Sequence, residues 1–150
     1  MATGLGAITD AQAFGGQMAY KTVEFNGATG NGESGTAVPL FTVTGAVIAL
    51  VLAVCTESLA VSDGATVEVG TTANPAAIIA QTLASTIDIG EIWVDATPTV
   101  LECWSSAFGC MIGDGADIEL MPRTADVTNG TIVFTCFWTP LSGDAYVIAA

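Results

Sequence analysis

Ala46-Val-Ile-Ala-Leu-Val-Leu-Ala-Val-Cys-Thr56 is the stretch whose reading decides the fold class. Read as a strand, it is apolar on both faces, with Val47, Ala49, Val51, Ala53 and Cys55 on one and Ile48, Leu50, Leu52 and Val54 on the other. A strand apolar on both faces sits centrally in a sandwich or is covered by a neighbouring subunit. The alternative is a transmembrane helix, since residues 34–56 lie uncharged between Glu33 and Glu57 and are long enough to span. Pro39, Thr42, Thr44 and Gly45 interrupt that run, and neither flank carries the Lys or Arg that sets orientation. The expectation is therefore a buried hairpin, strands at 37–43 and 46–56 joined near Thr44-Gly45.

Outward from this run the chain continues in short alternating segments. Residues 18–25 place Ala19, Lys21, Val23 and Phe25 on one face and Met18, Tyr20, Thr22 and Glu24 on the other. Residues 26–35 contain four glycines and two Asn-Gly pairs, a loop whose length suggests mobility or an interface. Further strands are expected at 66–70, 91–94, 99–105, 116–121 and 131–139, with a terminal strand or arm at 146–150. In 131–139, Ile132, Phe134, Cys136 and Trp138 share a face. The one helical candidate is 74–84, where Asn74 could cap and Pro75 could occupy the first helical position. The whole predicts an all-β antiparallel sandwich, with a jelly roll as a candidate wrapping and at most one short helix. Its expected core is Ile48, Leu50, Leu52, Val54, Phe134, Cys136 and Trp138. Residues 1–17, small and Gly-rich, are expected to form a flexible N-terminal arm, and 18–150 a single β domain.

Composition narrows the function. Of 150 residues 51% are hydrophobic and only 11% charged, against about 25% in ordinary domains. The net charge of −13 comes from 15 acids and only two bases, Lys21 and Arg123. No basic patch is available to displace counterions from phosphates, which argues against nucleic acid, and an anionic membrane would repel the chain. So little charge cannot cover a monomer's surface, and the apolar patches left exposed predict a homo-oligomer. The first residues lack the basic and apolar regions of a secretory leader, so synthesis in a reducing cytosol is expected. Cys55 and Cys136 then read as core thiols, while Cys103 and Cys110 could bridge a hairpin.

Chemistry is sparse. The chain has no histidine, which removes Ser/His/Asp and Cys/His activation. The four cysteines lack the close pairing of a zinc site. Glu91, Asp95 and Glu102 flank Trp93 and Trp104, and two acids beside tryptophans could form a sugar cleft. Solvated strand edges with two core or interface tryptophans are the plainer reading. Asp114, Asp117 and Glu119 around Gly115 could supply oxygen ligands for calcium, or simply form a turn. The expectation is a non-enzyme with no catalytic residue and no bound metal or cofactor.

From Cys55 onward the chain resembles small structural proteins of tailed-bacteriophage heads. The resemblance is carried by Val67-Glu-Val-Gly70, Glu91-Ile-Trp93, Asp95-Ala-Thr-Pro98, Gly115-Ala-Asp-Ile118, Thr124-Ala-Asp-Val-Thr128 and Phe134-Thr-Cys-Phe-Trp138-Thr-Pro-Leu-Ser142. These stretches are scattered through about two thirds of the chain and are strand-and-turn patterns, not catalytic signatures. The resemblance implies a capsid decoration, or cement, protein, β-rich and often trimeric. Such a protein would sit on the outside of the virion and clamp neighbouring copies of the major capsid protein. A tail or fibre component and a carbohydrate-binding β domain are the alternatives.

Overall fold

A computed structural model describes residues 17–102 and 109–150. Ten strands run β1 Met18–Glu24, β2 Val38–Thr44, β3 Val47–Val61, β4 Thr66–Thr71, β5 Asn74–Leu83, β6 Ile92–Trp93, β7 Cys110–Ile112, β8 Ile118–Arg123, β9 Val127–Pro140 and β10 Tyr146–Ala149. They form two antiparallel five-stranded sheets, ordered β1-β9-β3-β6 (with β7 also on β3) and β10-β2-β8-β4-β5. Between them lies one core, in which Trp93, Phe41, Phe134, Leu40, Ile79 and Ile118 are among the largest fully buried side chains. The pairing is nested: β4 with β5, β3 with β6 and β7, β2 with β8, β1 with β9. A doubled chain wound across two sheets in this way is a jelly roll, and β10 adds one strand beside β2.

The hairpin expected at 34–56 does not form. β2 and β3 are consecutive but lie in opposite sheets, because Gly45, at φ 69°, turns the chain from one layer to the other. Each finds its partners much later in the chain: β2 pairs with β8 and β10, β3 with β9. Among the described residues no helix is long and apolar enough to cross a membrane.

The helix expected at 74–84 is also overturned. Asn74–Leu83 is strand β5, held to β4 with bulged register, and only a single 3-10 turn follows at Ala84–Thr86. An isolated turn of helix has little to stabilise it, whereas β5 gains the ladder to β4 and buries Ile79 and Thr82.

The expected core needs a correction of face. In β3 it is Val47, Ala49, Val51, Ala53 and Cys55 that point inward; Ile48, Leu50, Leu52 and Val54 are half-buried on the outside. On β9, Ile132, Phe134 and Cys136 are buried as expected, with Trp138 packed against the core's margin. Phe134 lies opposite Ala53, and its ring meets Trp93 edge-on at 6.2 Å. Small residues on β3 leave room for those rings.

The glycine-rich loop at 26–35 is tied down. Gly27 N–H donates to the Val127 carbonyl at 3.0 Å, Val127 N–H to Gly32 at 2.9 Å, and Gly35 N–H to Pro122 at 2.8 Å. Asp126 Oδ1 accepts from Ser34 N–H at 2.8 Å. Gly32 has to be glycine: its φ is 114°, and a Cβ would stand 2.2 Å from the Val127 oxygen. Of the arm expected at 1–17, all but Gln17 lies outside the described residues, as do Cys103, Trp104 and the end of the strand expected at 99–105.

Candidate functional site

The outer face of the first sheet assembles residues that are far apart in sequence. Met18, Phe137 and Leu50 form one row across β1, β9 and β3; Tyr20, Thr135 and Leu52 form the next; Thr22, Val133 and Val54 a third. Ile92 of β6 extends the third row, and Met111 of β7 lies beside Ile48. Strand alternation makes this inevitable once the opposite residues are buried. Met18, Tyr20 and Met111 are exposed, Tyr20 by 57% and Met111 by 73%. No acid or base stands in these rows. The acids gather at one end, Glu24 opposite Thr131, and Glu57 accepting from Thr131 Oγ1 at 3.0 Å and from Asn129 Nδ2 at 3.2 Å.

The outer face of the second sheet is different in kind. Glu68, Met121, Thr66, Arg123 and Glu119 occupy neighbouring outward positions on β4 and β8. Arg123 Nε donates to Glu68 Oε1 at 2.6 Å, neutralising a carboxylate that is only 7% exposed, and Gln81 Nε2 donates to Thr66 Oγ1 at 3.0 Å. Half of the chain's base is spent inside this pair. Lys21 Nζ, the other half, donates to the Ala150 carbonyl, where β1 and β10 meet at one side of the sandwich. The β4-β8 part of this face is thus polar and internally paired, while its β10 edge exposes Tyr146 and Ile148; the rows of the first sheet's outer face carry no charge at all.

The sugar cleft loses one of its two tryptophans. Trp93 is wholly buried, with Nε1 donating to Thr82 Oγ1 at 2.8 Å, so its ring cannot stack on a ligand. Asp95 Oδ1 accepts from Thr97 Oγ1 at 2.6 Å and Thr97 N–H at 2.7 Å. Those bonds, the hydroxyl's first, hold its carboxyl below the ordinary range. Glu91 Oε2 accepts from Asp88 N–H at 2.8 Å. Both acids therefore serve as local turn acceptors. Trp104 lies outside the described residues.

The calcium candidates are dispersed in the same way. Asp114 Oδ1 accepts from Ala116 N–H at 3.1 Å, beside Gly115 at φ 74°. Asp117 Oδ1 accepts from Val43 N–H at 2.9 Å, fastening the start of β8 to β2. Glu119 projects from β8 opposite Pro39 and Gly70. Among the described residues no group of three or more potential ligands converges.

An open trough of about 570 Å³ runs between β5 and β7, lined by Ala77, Ile78, Cys110, Met111 and Ile112, with Asp114 at its rim. Cys110 Sγ donates to the Ala77 carbonyl at 3.3 Å, and burial raises its pKa. Its suggested partner Cys103 is outside the described residues. The apolar outer sheet face was half legible in sequence: the run at 46–56 announced two apolar faces, but not which one would stay outside. None of the family models, curated proteins or solved structures compared with this chain matches it.

Proposed function

We propose that this protein is a structural subunit of a tailed-bacteriophage head, a decoration or cement protein. In this reading a homotrimer binds the outside of the capsid and stabilises neighbouring copies of the major capsid protein. The observation that carries it is the apolar outer face of the first sheet, whose acids Glu24 and Glu57 are confined to one end, in a chain of net charge −13. Such a face on a sandwich of this charge fits a contact with protein. The scarcity of free base argues for a place away from packaged DNA. The stretches scattered between Val67 and Ser142 that resemble phage head proteins supply the kind of assembly. No step of chemistry is assigned to the chain.

The test is co-sedimentation of the purified chain with capsids that lack it. Saturable binding, together with greater resistance of the loaded shells to heat, is the expected result. A chain that passes over bare capsids at any concentration overturns the proposal.

A further inference from the structure

We infer that the open edge of β1 is the docking site of the chain's own residues 9–13, which fold back along it as a further antiparallel strand with Asp10 opposite Lys21. The inference goes beyond the function proposed above and holds whatever the assembly.

The described residues leave this edge open. β1 pairs with β9 on one side, and among the described residues no strand pairs with its other side. Trp138 N–H donates to the Gln17 carbonyl at 3.1 Å and Phe25 N–H to the Gly130 carbonyl at 2.9 Å, so the odd-numbered residues here bond to β9. Bonded pairs alternate along an antiparallel ladder, and the backbone groups of Met18, Tyr20 and Thr22 therefore point away from the sheet. Beyond Thr22 that side is already taken, since Asn31 Nδ2 donates to the Glu24 carbonyl at 3.2 Å. The remaining edges are blunted. β5 is bulged and carries Pro75, while β6, β7 and β10 have two, three and four residues. β1 has seven, in unbroken register, and a regular open edge is a template for another strand.

The sequence ahead of β1 supplies the strand and fixes its register. Residues 1–16 lie outside the described ones, and Gln17 ends at the open edge itself. Phe14-Gly15-Gly16-Gln17 has the length of a common hairpin loop, with two glycines free to take positive φ. Closing it pairs Ala13 with Met18, then Ala11 with Tyr20 and Thr9 with Thr22, the three residues of β1 whose backbone groups are open. The same register sets Asp10 across from Lys21 as a non-hydrogen-bonded pair, where facing side chains come closest. Asp10 is the one charged side chain in the first 20 residues, and Lys21 the one base that no carboxylate holds among the described residues. Charge and loop length thus select the same pairing independently.

The experiment is hydrogen exchange and disulfide trapping on the full chain. In wild type the amides of Tyr20 and Thr22 are expected to exchange at least about tenfold slower than open-chain amides. Ala11→Pro removes the N–H that would bond to Tyr20 and is expected to return both to open-chain rates. Lys21 and Val23, bonded to β9, are expected to stay protected, which a general loss of structure would not allow. Ala11→Cys with Tyr20→Cys is expected to close a disulfide within one chain under oxidised glutathione, located by peptide mass, because facing Cα atoms stand about 5.5 Å apart. Ala7→Cys with Tyr20→Cys, four residues out of register, is expected to stay open. Open-chain exchange at Tyr20 and Thr22 in wild type overturns the inference, as does protection that survives Ala11→Pro. So does a disulfide that forms equally in both pairs or only between chains.

Discussion

Cys136 stands at the centre of β9, fully buried, and lies opposite Val51 on β3 and Ala19 on β1. Removal from water disfavours its thiolate, which pushes the pKa from 9.0 up to about 12 despite a backbone hydrogen bond at Leu50. An unfolded chain releases this proton near 9.0, whereas the folded chain keeps it to about 12. The unfolded state therefore binds fewer protons across that window, and stability falls as pH rises through it; below pH 9 the thiol contributes nothing pH-dependent. Between neutral pH and pH 10.5 wild type is expected to lose about 2 kcal/mol more than Cys136→Ala. Urea midpoints of both proteins at the two pH values give the comparison, and the tyrosines and other thiols cancel. Equal losses would mean that Cys136 is not sealed from water.

At the scale of the strand, β3 and β9 make the same point from their two faces. Phe134→Ala opens a cavity beside Trp93 and is expected to cost about 3–5 kcal/mol. Leu52→Ala, half-buried on the outer side, is expected to cost only about 1 kcal/mol in the dissociated chain. Denaturant unfolding at concentrations where scattering shows single chains measures both; equal costs would reverse the assignment of faces. β5 carries a different lesson. Asn74-Pro75 is a sound local start signal for a helix, but the ladder to β4 and the burial of Ile79 outweigh it. Propensity over so few residues is worth less than one tertiary partner.

For the whole molecule, the decisive quantity is the imbalance of 15 acids against two bases, both bases already engaged at Glu68 and Ala150. In the proposed oligomer, association between such subunits draws on apolar burial and is opposed by charge. Raising salt from about 0.05 to about 1 M shortens the screening length from roughly 14 to roughly 3 Å and weakens the repulsion. The scattering mass is expected to hold or rise over that range. A mass that falls with salt would mean that ion pairs, not the apolar face, hold the copies together.

Alternation alone made the all-β class readable, along with strand placement from 18 to 25, 66 to 70 and 131 to 139, and the inward set Ile132, Phe134 and Cys136. So did the lack of a charged covering, because composition is independent of geometry. Other features depended on pairings between distant segments. β3 shows its Val47 side to the core only because the second sheet closes over that side while β9 pairs alongside in matching register, and either apolar face could have served until then. β2 and β3 look like a hairpin until Gly45 carries the chain across the sandwich and β8 and β9 arrive as partners. Trp93 could have lined a cleft until Thr82 of the other sheet took its N–H. Local pattern determines what a strand can bury; which side it buries, and against what, is decided by contacts between residues as far apart in the chain as Met18 and Phe137, each costing chain entropy that only the complete core offsets.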